Sequence, residues 1–254
     1  MEQMRLKDKV AIITGGGSGI GKAAALAFAR EGAKVAVADI SPERADETVA
    51  DIVKQGGEAL GMKVDVRQAE EVEKLVSETA AKFGKLDVMF NNAGIFDGNP
   101  LVHAFSEELW DAVMDTNAKG VFLGCKYAIP EMLKQGKGKI INTASVCGFG
   151  GRSAGPAYTA SKHAIIGITK QVAAWYGSMG VNANCICPSV VRTKMTEELL
   201  QSPEIEETSL RATPLGRFAQ PEEIVPLLVY LASDESDYVT GAAVTIDGGW
   251  TANI

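Results

Sequence analysis

Residues Thr14–Gly21 read T-G-G-G-S-G-I-G, directly after the apolar run Val10–Thr14 and ahead of an alanine-rich stretch. Five of the seven residues from Gly15 to Gly21 are glycine. Without Cβ atoms the backbone turns sharply and lets a pyrophosphate come close. A helix expected from about Gly19 then aims unpaired N–H groups and its positive dipole end at such an anion. The G-x-G-x-x-G spacing is not met, because Lys22 stands where a glycine should follow Gly17 and Gly19. The fit is G-x-x-x-G-x-G on Gly15, Gly19 and Gly21, and no G-K-S or G-K-T follows to make a Walker loop. Strand, glycine loop and helix in that order open an α/β nucleotide-binding unit.

Working outward, short apolar runs recur with helix-length segments between them. They are Val10–Thr14, Val35–Asp39, Ala59–Asp65, Leu86–Asn91, Lys139–Thr143, Val181–Cys187 and Ala243–Asp247. Most are continuously apolar instead of alternating, as in strands covered on both faces. Ser41-Pro42 followed by Glu43 and Glu47 reads as a helix N-terminus, and Pro221-Glu222-Glu223 repeats the signal. Strands alternating with helices imply parallel pairing through right-handed crossovers, hence an α/β doubly wound parallel sheet of seven strands. No linker, low-complexity tract or repeat divides the chain, so residues 1–254 are expected to form one domain. The segment from about Arg192 to Arg217, which holds Pro203 and Pro214, lacks clear periodicity and is expected to be a mobile substrate flap.

Composition narrows the classes further. A chain of 254 residues, 46% hydrophobic and 22% charged, is neither disordered nor a disulfide-stapled miniprotein. A net charge of -7 argues against a non-specific nucleic-acid binder. Four cysteines in this length read as reduced thiols, which suits the cytoplasm. Met1–Lys9 is polar and mixed in charge, so no signal or transit peptide is expected, and no apolar stretch approaches the roughly 18 residues of a membrane span.

The second run ends in Asp39, 18 residues after Gly21. A carboxylate there accepts hydrogen bonds from the ribose hydroxyls of an adenosine and repels a 2′-phosphate by about a few kcal/mol. Neither Ser18 nor Ile40 adds a cation, so NAD is expected over NADP. Tyr158 and Lys162 stand four residues apart, on one face of a helix. A nearby ammonium is expected to lower the tyrosine pKa from about 10 by on the order of 1–3 pH units, so that the phenol can trade a proton with an alcohol. Ser145 follows the fifth run, at the carboxyl edge where open α/β sheets bind ligands. Asn91-Asn92-Ala93-Gly94 ends the fourth run at the same edge, and Asn117 lies in the next helical segment.

With these residues in view, the chain resembles the short-chain dehydrogenase/reductase family over essentially its whole length, from the glycine motif to Asp247-Gly248-Gly249. The resemblance implies a Rossmann-like fold binding NAD. It makes Tyr158 the acid/base and Ser145 the group that orients the substrate oxygen. Lys162 would bind the nicotinamide ribose, and Asn117 would complete a tetrad by anchoring a water. It assigns Gly15, Ser18, Gly19, Ile20 and Gly21 to the pyrophosphate loop, and Asp65 with Val66 to the adenine. Asn91, Ala93 and Gly94 go to the cofactor cleft, and Pro188, Val191 and Thr193 to the nicotinamide amide. Ser189 departs from the family's usual glycine, which leaves the backbone beside the nicotinamide less free. The resemblance also implies a homotetramer packed through helices around 106–134 and 155–178.

Gly151-Arg152-Ser153-Ala154-Gly155 matches G-x-S-x-G, but the fifth run ends too early for a nucleophile elbow and no acid separates Ser153 from His163. Two histidines make a His-centred metal site improbable, and Cys185 and Cys187 read as core thiols. Cys147 reads as an inert loop thiol. The expected substrate border is Ser145, Ile95, Phe96, Val146, Phe149, Val190, Met195 and Leu199, mostly apolar, with Arg152 read as an exposed loop arginine. A neutral secondary alcohol or ketone fits such a border better than a phosphorylated sugar. Two alternatives stand beside the NAD-dependent oxidoreductase: an NADPH-dependent 3-oxoacyl-(acyl-carrier-protein) reductase, and a non-catalytic NAD-binding sensor.

Overall fold

The computed structural model describes residues 4–151, 154–197 and 199–253. Met1, Arg152 and Ser153, and the side chain of Leu199, lie outside the described part. Among the described residues seven strands form one sheet: β1 (Val10–Thr14), β2 (Lys34–Asp39), β3 (Ala59–Lys63), β4 (Val88–Asn91), β5 (Gly138–Thr143), β6 (Val181–Pro188) and β7 (Ala243–Ile246). Their order is β3-β2-β1-β4-β5-β6-β7, and every pairing is parallel.

Helices α1 (Gly19–Arg30), α2 (Pro42–Lys54) and α9 (Pro221–Ala232) cover one face; α3 (Ala69–Phe83), α5 (Gly120–Gln135) and α6 (Pro156–Tyr176) cover the other. Successive residues of β1 alternate between them: Ala11 and Ile13 join the α1/α2/α9 core, and Ile12 joins the α3/α5/α6 core. All five β1 residues are buried, which is why this run shows no polar alternation. The strand order reverses between β1 and β4, where Ile13 pairs with Val37 on one side and Phe90 on the other. Loops leaving those two strands diverge and open a crevice at the carboxyl edge.

Two local signals act as read. Ser41 caps α2, its Oγ accepting from the Arg44 N–H at 3.4 Å, and Pro221 opens α9 behind a Gln220/Glu223 capping box. Within 192–217, read as a stretch without clear periodicity, short helices form. The segment contains α7 (Lys194–Glu197) and α8 (Pro203–Ala212), joined through a 3-10 turn, Leu199–Gln201. Ser202-Pro203-Glu204 repeats the cap–proline–acid signal of α2, but α8 has only 10 residues, too few turns for an apolar stripe to register. Its base is closed by a bridge between Val191 and Ala219, with the Arg192 N–H donating to the Ala219 carbonyl at 2.9 Å.

Between α4 (Glu107–Val113) and α5 a π-helical turn, Met114–Lys119, breaks the register of an otherwise continuous rod. Such an inserted residue turns a side chain off the regular helical faces. Asn117 is that turn's buried polar residue. No described helix is long and apolar enough to cross a membrane.

Candidate active site

A cleft of about 420 Å³ runs along the carboxyl edge, from Gly15, Ser18 and Asp39 at one end to Ser145, Tyr158 and Lys162 at the other. At the first end, Gly15 and Gly19 have φ of 63° and 52°, a region that disfavours any side chain. Ser18 takes the N-cap position of α1 without a side-chain cap bond, and the first turn holds no acid. The first N–H groups of α1 therefore keep their donor capacity beside the cleft. Gly21 serves differently from its expected place on the wall: it is buried, and a Cβ there would run into the Gly15 carbonyl oxygen. Its glycine is needed so that α1 can start against the loop.

Asp39 is buried at the end of β2. Its Oδ2 accepts from the Gly17 N–H at 3.0 Å, and Oδ1 accepts from the Ser41 N–H at 3.0 Å. Oδ1 also receives the Arg44 guanidinium, at 2.8 Å from Nη2. Neither Ser18 nor Ile40 supplies a cation, but Arg44, in the first turn of α2, lines the same cleft. The signal for it is that α2 begins directly after β2, so its first turn returns to the Asp39 end of the cleft. A second pair stands nearby, Arg67 to Asp65 at 2.6 Å, and its hydrogen bonds hold the Asp65 carboxyl below the ordinary range. Val66, Ala93 and Gly94 also line the cleft.

Asn91 does not line it. Its amide donates to Asn142 at 2.9 Å inside the sheet, and the side chain is 3% exposed. The alternation of strand faces points Asn91 inward, and Asn92 takes the cleft position instead. Asn92 staples three strand ends: its amide donates to the Thr14 carbonyl at 3.1 Å, and its oxygen accepts from Thr143 Oγ1 at 3.3 Å.

At the other end, the Ser145 hydroxyl accepts from the Cys147 N–H at 3.2 Å and donates to the Pro188 carbonyl at 3.4 Å. Lys162 sits one helical turn beyond Tyr158; its ammonium lies 5.1 Å from the centre of the Tyr158 ring and donates to the Thr143 carbonyl at 2.7 Å. Burial pushes Lys162 down to about 8. The expected lowering of Tyr158 is not what the structure gives. Burial pushes this phenol above its ordinary value, Cys147 and Asp97 add to the rise, and Ser145 opposes it. Desolvation of the phenolate outweighs the spacing of two side chains along the helix. Burial also raises the Cys147 thiol, in keeping with an inert side chain.

Asn117 is fully buried and lies behind the cleft wall. Its oxygen accepts from the Ile95 N–H at 2.8 Å, and its amide donates to the Ile95 carbonyl at 3.0 Å. Of the expected substrate border, Ser145, Ile95 and Met195 line the cleft. Phe96, Val146, Phe149 and Val190 do not. Phe96 packs edge-on against the Tyr158 ring at 5.0 Å, and Val146 is buried in the core. Phe149 is exposed outside the cleft, and the carbonyl of Val190 accepts from the Ala219 N–H in the bridge. Nearness in sequence to a site residue does not put a side chain on the cleft wall; packing between elements decides which ones reach it.

Pro188, Val191 and Thr193 line the cleft, and so does Ser189. Asp8 is the one described non-glycine residue with positive φ, so Ser189 sits in backbone a serine tolerates. Its hydroxyl donates to the Asp247 carbonyl at 3.0 Å, tying this loop to the end of β7.

Comparison with known proteins gives a consistent picture. A family model described as Enoyl-(Acyl carrier protein) reductase matches residues 15–251. The chain is 42% identical over 246 residues to a 3-oxoacyl-(acyl-carrier-protein) reductase of Thermotoga maritima, covering 97% of this chain and 99% of that one. It is 39% identical over 250 residues to a meso-2,3-butanediol dehydrogenase of Serratia marcescens, covering 98% and 97%. Among solved structures, levodione reductase superposes with a TM-score of 0.94 at 35% identity, covering 98% and 99%.

Proposed function

Since the chain belongs to the short-chain dehydrogenase/reductase family, we propose that it is an NAD-dependent oxidoreductase acting on a secondary alcohol or its ketone, with Tyr158 as the acid/base. One observation carries the reading: Ser145, Tyr158 and Lys162 converge on the far end of a cleft whose near end is a glycine cradle with free helix donors.

The cleft residues suit a dinucleotide. Gly15, Ser18, Gly19 and Ile20 would hold the pyrophosphate, Asp39 the adenosine ribose, and Asp65 with Val66 the adenine. Ala93 and Gly94 would border the middle, and Pro188, Val191 and Thr193 the nicotinamide amide. A bound nicotinamide supplies the hydride acceptor. In the oxidative direction Tyr158, as phenolate, takes the hydroxyl proton of the alcohol while its carbon gives up hydride. Ser145 holds the reacting oxygen by its hydroxyl, and Met195 and Ile95 supply apolar wall. Lys162 binds the ribose and offsets the burial that disfavours phenolate. Asn117 fixes the Ile95 backbone, and the family role of water anchor is proposed for it as well.

Asp39 favours NAD. Arg44 favours the second reading, an NADPH-dependent 3-oxoacyl reductase, because a guanidinium beside the ribose would suit a 2′-phosphate, and the 42% identity to a 3-oxoacyl-(acyl-carrier-protein) reductase supports it as well. Residues 192–217, helices included, would move over the substrate. The exposed apolar residues Phe122, Leu133 and Trp175 on α5 and α6 support a homotetramer. Four free, buried thiols support a cytoplasmic location.

The test follows NADH absorbance with NAD and a panel of secondary alcohols: cyclic, steroid-like, polyol and 3-hydroxyacyl. Tyr158→Phe should lower kcat by about 10²–10⁴-fold with NADH binding intact. Turnover unchanged in that variant would remove Tyr158 from the chemistry. NADH binding without turnover across a wide panel would favour a sensor.

A further inference from the structure

We propose that Asp97 is a positioning residue for Tyr158, a carboxylate clamp from the loop after β4 that sets where the phenol stands; the inference rests on Tyr158 being the acid/base. Asp97 is 7% exposed. Its Oδ2 accepts from the Tyr158 N–H at 2.8 Å, and its Oδ1 accepts from the Gly155 N–H at 3.1 Å. Gly155 is the N-cap of α6 and brings no side chain, so the first donors of the helix have no local partner. An acid distant in sequence caps them, favoured there by the helix dipole. A Cβ on Gly155 would come within 2.7 Å of the Asp97 carboxyl, so glycine at this position is what admits the clamp.

The surrounding loop repeats the purpose. Ile95 is gripped by Asn117 through both backbone groups, and Phe96 sets its ring against Tyr158 at 78°. Gly98 accepts from the Gly155 N–H at 2.7 Å. Each of these four loop residues is thus tied to α6 or to the π-helical turn beside it. A plain cap would satisfy the helix end and nothing more. Asp97 adds a charge that acts on the phenol in the direction opposite to a cation. The other groups facing Tyr158 are Lys162 from α6 and Cys147 with Ser145 from the turn after β5.

Two variants separate clamp from cap. Asp97→Asn keeps one acceptor and loses the charge; Asp97→Ala loses both. Tyr158 ionisation is read from phenolate ultraviolet absorbance in cofactor-free protein, against a Tyr158→Phe background, alongside the pH profile of kcat/KM for alcohol oxidation. Asp97→Asn should lower the phenol midpoint by about half a pH unit and move the acid limb of the profile the same way. Asp97→Ala should lower kcat by about tenfold to a hundredfold while the NADH dissociation constant stays within about twofold. An unchanged phenol midpoint in Asp97→Asn, or activity lost only in step with melting temperature, would reduce Asp97 to a structural cap. Should Asp97→Ala fail to fold, the Asn variant decides. Full turnover in Tyr158→Phe would defeat the functional reading, whereas the absorbance titration would still report whether Asp97 governs the phenol.

Discussion

The carboxylate of Asp39 is shared between backbone donors and a guanidinium, and that sharing changes how it discriminates. A bare carboxylate beside a 2′-phosphate repels it by about a few kcal/mol at an effective dielectric near 20. Arg44 at 2.8 Å opposes that field, so on the proposed reading hydrogen bonds to the ribose hydroxyls would carry the preference for NAD. Arg44→Ala should therefore widen the preference for NADH over NADPH by about tenfold. Fluorescence titration of the two reduced cofactors measures the ratio, and a narrowed preference would show that Arg44 does not offset Asp39. Asn91 and Asn92 make a related point. Adjacent asparagines at one strand end have opposite fates, one inside the sheet and one on the cleft, because side chains alternate across a strand.

Among the elements, the start of β5 holds the most consequential ion pair outside the cleft. Lys139 is 2% exposed and meets Asp237, from the turn after α9, at 2.7 Å. Burial pushes its ammonium below the ordinary value, and Asp237 opposes that shift. Removing the acid strands a buried cation, whereas removing the cation leaves a half-exposed acid that water can serve. Asp237→Ala should cost about 1–2 kcal/mol and Lys139→Met less than about 1 kcal/mol in denaturant unfolding. Equal losses would mean the pair is valued for its attraction, not for covering the charge. At this scale α8 was hidden in the sequence by its shortness, and the π-helical turn by its composition, Met-Asp-Thr-Asn-Ala-Lys, which nothing separates from an ordinary helical turn.

For the whole molecule, the proposed assembly turns on the apolar faces of α5 and α6. Phe122 is 51% exposed and borders a groove with Ile129, Leu133, Ile168 and Val172 between the two helices. Phe122→Asp should shift light-scattering mass from a tetramer to a smaller species, while a wild-type monomer would remove the assembly reading altogether. The seven strands could be read from the chain to within a residue or two at most ends, since buried parallel strands are short, apolar and bounded by glycine and helix-start signals. The glycine cradle and Ser145 were legible for the same reason, since each follows a strand directly, whereas Tyr158 was legible from its spacing to Lys162 on one helix face. What tertiary structure alone decided were the meetings of residues distant in the chain. Asn92 joins Thr14 to Thr143, Asp97 reaches the start of α6, and Phe96 turns from the cleft to the Tyr158 ring. The burial that pushes the Tyr158 phenol upward comes from packing between elements too. Local pattern determines which elements form, because propensity and hydrophobic period act over a few residues; side-chain partners and desolvation depend on packing between elements, which no short window of sequence contains.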